Sequence, residues 1–122
     1  MSAPRTVTVP TVEHGPIRLA CPAWCLGHDQ ALQHRADIAH AGTEHWLTFE
    51  GETLLTAALS QDPYATNTEA RRTGLYVEQT GYAATLDPAE VRQLAAALTL
   101  HAMHLRTLAE QLAAIRAREV GE

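Results

Sequence analysis

Thiolate sulfur and imidazole nitrogen are the donors a tetrahedral zinc ion prefers. This chain puts both of its cysteines and three of its seven histidines into one stretch from Cys21 to His40, CPAWCLGHDQALQHRADIAH. The Cys-x3-Cys-x2-His start lets Cys21, Cys25 and His28 converge on one ion from a knuckle, and the fourth ligand must return from beyond a loop. His40 is the better placed of two candidates, because ADIAHA (36–41) reads as a short ordered strand. His34 is the substitute, lying beside Gln33 and Arg35 in a polar segment. The expected ligand set is therefore Cys21, Cys25, His28 and His40, and the expected ion is Zn2+. The competing reading is two buried thiols beside scattered loop histidines, since the spacing is less specific than paired CxxC knuckles.

Four protein ligands would close the shell and make the site structural, whereas three would leave a position for water and permit hydrolysis. Asp29, Asp37 and Glu44 lie nearby in sequence, but none sits in an HExxH or an HxE with PCxxC arrangement. That favours the structural role, with Trp24 as an apolar cover over the thiolates. Other chemistry finds little support. Ser2 and Ser60 have no GxSxG context, no glycine-rich phosphate loop occurs, and Arg71-Arg72 reads as part of a solvated loop. No catalytic residue is expected.

The elements that must position this stretch are short strands and one long helix. Thr6 to Val12 is rich in Val and Thr and reads as a strand that Pro10 breaks near its end. Glu13 to Pro16 has turn chemistry, and Ile17 to Ala20 then delivers Cys21 at a strand end. Residues 21–45 read as the metal loop, with one helical turn around residues 28–34. Trp46 to Glu50 alternates, with Leu47 and Phe49 on one face, and Gly51-Glu52 turns into Thr53 to Ser60 as an antiparallel hairpin. Residues 61–74 are polar and read as an exposed loop. Leu75 to Gln79 and Tyr82 to Leu86 flank Thr80-Gly81 at the length of a second tight hairpin.

Asp87-Pro88-Ala89-Glu90 supplies an N-cap acceptor, a proline at the first helical position and an acidic residue in the capping-box place. A helix is expected over 88–118. Val91, Leu98, Leu105 and Leu112 recur every seven residues, Leu94, His101, Leu108 and Ile115 form a second row, and Ala95, Ala102 and Ala109 lie beside the seam. At about 1.5 Å per residue this helix overhangs strands of about six residues, so part of its stripe should meet a helix from another copy. A homodimer is expected, with C2 symmetry as the usual arrangement. His101 and His104 could form a metal or pH-sensing pair across such an axis; the plainer account is a polar residue that sets register.

A chain of 122 residues fits a single domain, 1–122, with residues 1–5 as a flexible tail. Its net charge of −5 argues against general phosphate attraction and hence against nucleic acid. No apolar run suits a membrane span and the N-terminus lacks a signal-peptide layout, so a cytoplasmic protein with reduced cysteines is expected.

The segments CPAWC-x2-H, ADIAHAG, TVTVPTVEHGPI and LYVEQTGYAATLDPAE resemble a family of small uncharacterised actinobacterial proteins along nearly the whole chain. The resemblance rests on a Trp-Cys-x2-His segment followed by His-x-Gly, here Trp24, Cys25, His28, His40 and Gly42. It supports the ligand choice and implies no activity. The expected architecture is α+β, a small and mostly antiparallel sheet with hairpins covered by one long C-terminal helix, with the metal loop at one edge. The expected function is a non-enzymatic zinc-binding module for protein interaction or regulation, dimeric through its helix and serving a protein partner not identified by the sequence. The alternative is a metal-dependent hydrolase with an open zinc position.

Overall fold

The computed structural model of the protein describes residues 5–120. It contains six strands, β1 (Arg5–Thr11), β2 (Gly15–Cys21), β3 (His40–Ala41), β4 (His45–Phe49), β5 (Glu52–Gln61) and β6 (Gly74–Gln79), then one helix, α1 (Pro88–Val120). β1 and β2 form one antiparallel sheet, and β3, β4 and β6 each pair with β5 in another, giving the expected α+β class. Of the tail expected over residues 1–5, Arg5 begins β1 and the remainder lies outside the described residues.

Two compact units divide the chain. The first comprises the described residues up to Thr43 together with Ala58–Leu75. Its β1–β2 hairpin runs in register from Arg5↔Cys21 to Thr11↔Gly15. Gly15 takes φ 64°, a left-handed turn position that suits a residue without Cβ. The Thr11 hydroxyl donates to the Gly15 carbonyl at 2.7 Å and accepts the His14 amide at 3.1 Å, which locks the turn. Pro10 does not break β1: it lies opposite Pro16 inside the ladder. Paired with each other, the two prolines occupy a ladder position at which neither strand needs an amide donor from the other.

Period-two alternation puts Val9, Leu19 and Cys21 on the inner face, where they form the core with Cys25 and Ile38. Trp24 and Tyr64 pack against that cluster. Tyr64 also lies under the Arg35 guanidinium, 4.9 Å from ring centroid to Cζ. The expected helical turn at 28–34 is displaced to a 3-10 turn at Arg35–Asp37, and only His40–Ala41 of the expected strand over 36–41 pairs. His34 backbone closes the turn by accepting the Asp37 amide at 3.0 Å. Residues 61–74, expected as an exposed loop, begin at the end of β5, carry a 3-10 turn at Glu69–Arg71 and bury Thr73.

The second unit comprises Glu44–Ala57 and the described residues from Tyr76 onward. The β4–β5 hairpin forms as the alternation required, with Leu47 and Phe49 buried and Trp46 and Thr48 exposed. Glu50 and Gly51 both take positive φ, 52° and 80°, the twist a two-residue hairpin turn needs. The hairpin expected across Thr80-Gly81 does not form. Residues 82–86 are not strand, β6 pairs with β5 instead, and the Thr80 amide donates to the Leu54 carbonyl at 3.1 Å. A ten-residue β5 offers a longer edge than a local turn could supply.

The capping box is reciprocal: the Glu90 amide donates to Asp87 Oδ1 at 2.9 Å, and the Asp87 amide donates to Glu90 Oε1 at 3.0 Å. From there α1 runs 33 residues, two past the expected end, and packs against β4. Of its rows, His101 and Leu108 of one are buried, with Leu94 and Ile115 partly so, whereas Val91 and Leu98 of the other are about half exposed. No helix among the described residues is long and apolar enough to cross a membrane.

Candidate metal centre

The first unit brings four side chains together. Cys21 is the last residue of β2, opposite Arg5, so its inward direction follows from the hairpin register. A turn then reverses the chain, with the Cys25 amide donating to the Pro22 carbonyl at 3.1 Å. Gly27, at φ 114°, donates its amide toward Cys25 Sγ at 3.4 Å, the knuckle arrangement that orients a sulfur and stabilises negative charge on it. The Leu26 amide donates to the Ala41 carbonyl at 2.9 Å and ties this knuckle to β3, which carries His40. β3 is itself held by β5, with His40 opposite Gln61 and the Gly42 amide donating to Leu59 at 2.9 Å.

One donor atom from each of Cys21, Cys25, His28 and His40 lies within 4.8 Å of every other. His28 Nε2 is 3.7 Å from Cys25 Sγ and 3.2 Å from His40 Nδ1. A zinc tetrahedron with usual bond lengths has S···N edges of about 3.6 Å and N···N edges of about 3.3 Å. The two spacings therefore match the edges of such a shell. Cys21, Cys25 and His40 are buried and His28 is half-buried. Trp24 stands nearly perpendicular to the His40 ring, centroids 6.3 Å apart at 84°, and packs against the cluster that includes Cys21 and Cys25. A Cβ at Gly42 would lie 3.4 Å from both Leu59 Cβ and the Trp24 carbonyl oxygen, so the glycine lets β3 approach Trp24.

The electrostatics suit a cation. Burial, then His28 and Arg5, pushes the His40 pKa down to about 4, and burial followed by Arg5 lowers that of His28. Both rings are thus neutral lone-pair donors at neutral pH. Burial, then the neighbouring Cys25, raises the Cys21 thiol, so two thiolates here call for a compensating positive charge. Arg5 supplies part of it. Its guanidinium donates to the Cys25 carbonyl at 2.8 Å. Arg5, expected in the flexible tail, instead stands opposite Cys21 in the β1–β2 register.

The other candidates fall elsewhere. His34 is exposed, with Nδ1 3.6 Å from Glu13 Oε1, and takes no part in the group. Among the described residues no carboxylate joins the four donors. Asp29 instead accepts the Ala31 amide at 2.9 Å, and Glu44 accepts the Trp46 indole N–H at 2.7 Å. His101 and His104 lie in the second unit with ring centroids 6.4 Å apart.

A family model described as a domain of unknown function, DUF6907, matches residues 6–114. No curated protein and no solved structure matches the chain.

Proposed function

The chain belongs to the DUF6907 family, and we propose that it is a zinc-holding interaction module whose ion is bound by Cys21, Cys25, His28 and His40. The observation that carries this reading is the mutual approach of four donor atoms within 4.8 Å. Two sulfurs and two imidazole nitrogens are the donor set of closed structural zinc sites, and calcium or magnesium would require oxygen ligands instead. Four protein donors fill a tetrahedral shell and leave no position for a reactive water, which supports a non-enzymatic role over hydrolysis.

The zinc would join elements that a small core holds weakly: the end of β2, the knuckle and the two-residue β3. Reduced thiols at the site fit a cytosolic setting. The module would act as a homodimer through α1, where Val91, Ala95, Leu98, Ala102, Leu105, Ala109 and Leu112 alternate at spacings of four and three. This is the coiled-coil period, and the alanine row permits close helix approach. Val91 and Leu98 on it are 51% and 47% exposed, which supports a seam awaiting a partner helix.

Metal analysis of the purified chain, together with its mass in solution, tests both parts. The expected result is one zinc per chain and twice the chain mass. Cys25→Ser should lose metal and fold together. A folded chain without metal overturns the zinc reading, and a Cys25→Ser chain that stays folded and metal-bound with an exchangeable water supports the hydrolase.

A further inference from the structure

Two neighbouring rows on one flank of α1 differ in the size of their side chains. Val91, Leu98, Leu105 and Leu112 form a large row, and Ala95, Ala102 and Ala109 form a small row beside it. Val91, Ala95, Leu98 and Ala109 are exposed, and Ala102, Leu105 and Leu112 are half-buried. When two such helices pair, their orientation decides which rows meet. In a parallel pair each row meets itself, so layers of two large side chains alternate with layers of two alanines. No single separation suits both, because one that clears the leucines leaves voids at the alanines.

In an antiparallel pair the large row of one copy runs against the small row of the other. Leu98 then faces Ala109 of the second copy, Ala102 faces its Leu105, and Ala95 faces its Leu112. Every such layer holds one large and one small side chain. The helices can therefore approach to about 8 Å evenly along the seam.

The charge at the two ends of α1 points the same way. Glu50, Asp87 and Glu90 crowd together at its N-terminal end, where a hydrogen bond shared with Glu90, then burial and the neighbouring carboxylates, raises the Glu50 pKa. The C-terminal end carries Arg116 and Arg118, with Glu119 as the one acid in the stretch 115–120. Parallel pairing sets the acidic ends side by side and continues the small row into Arg116 against Arg116. Antiparallel pairing sets the arginine end of each copy beside the acidic end of the other, which turns repulsion into attraction.

We propose that two copies of this chain pair antiparallel through the flank of α1 that carries Leu98, Ala102 and Leu105, with the two-fold axis level with positions 103 and 104. The orientation rests on the dimeric reading given above and adds to it which residues meet.

Spin labels on the metal-loaded chain, with distances measured by pulsed electron resonance, distinguish the orientations. Met103→Cys and Ala117→Cys each put one label on an exposed position outside the two rows. The unaltered chain taken through the same labelling sets the background from Cys21 and Cys25. Labels at position 103, beside the axis, should stand about 20 Å apart in either orientation, one helix separation plus the side chains. Labels at position 117 should stand about 40 Å apart in the antiparallel pair, from the rise of about 1.5 Å per residue, and about 20 Å apart in a parallel one. Light scattering gives the mass of the same samples. Twice the chain mass with the short distance at 103 and the long one at 117 supports the antiparallel pair. Twice the mass with the short distance at both positions overturns the orientation and leaves the dimer standing. A monomer, or a dimer without the short distance at 103, overturns the pairing through α1 as well.

Discussion

His28 Nε2 stands 3.2 Å from His40 Nδ1, although twelve residues separate the two along the chain. Both rings are neutral at neutral pH, so an ion between them replaces at most one hydrogen bond and gains two lone pairs. The knuckle supplies His28 and β3 supplies His40, and the bond from the Leu26 amide to the Ala41 carbonyl fixes their separation.

The histidines can be separated by substitution. His40→Ala should abolish stoichiometric zinc binding and lower the melting temperature by roughly 10 °C or more, because structural zinc contributes many kcal/mol to folding. His34→Ala should retain one zinc per chain and melt within a few degrees of the unaltered protein. Elemental analysis and calorimetry on both variants check this.

Chelation should expose the histidine linkage. With zinc removed, folded His40 takes up a proton near pH 4 whereas the unfolded chain takes it up near 6.5. Between those values the unfolded state binds more protons, so stability rises with pH across the window and is lost as pH falls from about 6.5 to about 4. His28, also lowered, adds in the same direction. Denaturant midpoints in chelator at several pH values should show this slope, and His40→Asn should flatten it.

Arg5→Gln should weaken zinc affinity by about 10- to 100-fold, the usual range for a partner outside the ligand shell. It removes both the bond to the Cys25 carbonyl and a positive charge that acts on the Cys21 thiol. Competition against a chromophoric chelator would measure it. Arg5→Lys should recover part of the affinity by restoring charge without the planar fork.

Leu98→Lys should halve the mass in solution and leave zinc content unchanged, because Leu98 is 47% exposed on α1 and far in sequence from Cys21, Cys25, His28 and His40. Light scattering after size exclusion distinguishes this from unfolding.

Asp87→Ala should cost about 1 kcal/mol, the typical worth of an N-cap acceptor, by releasing the Glu90 amide. Thermal unfolding monitored by helix signal provides the check, with metal content as the unaffected control.

Local chemistry made much of this protein legible. The capping box began α1 at Pro88 because cap, proline and acidic residue act within one turn. The alternation of Leu47 and Phe49 oriented β4 because a pleated strand turns successive side chains to opposite faces. The Cys-x3-Cys-x2-His spacing selected three metal-ligand candidates because a knuckle is a local turn. Pairings between distant segments were less legible. β6 chose the edge of β5 over a local hairpin, and Pro10 stayed inside β1 because its partner happened to be Pro16.

From the residues alone came the ligand types, the knuckle and the helix with its heptad rows, since each is governed by neighbours a few positions apart. Tertiary structure decided that His40 rather than His34 completes the group, that Arg5 bonds the Cys25 carbonyl and that His101 Nε2 is buried without a hydrogen-bond partner among the described residues. Those outcomes depend on which segments lie side by side after β3 docks on β5 and α1 docks on β4, contacts between residues remote in sequence.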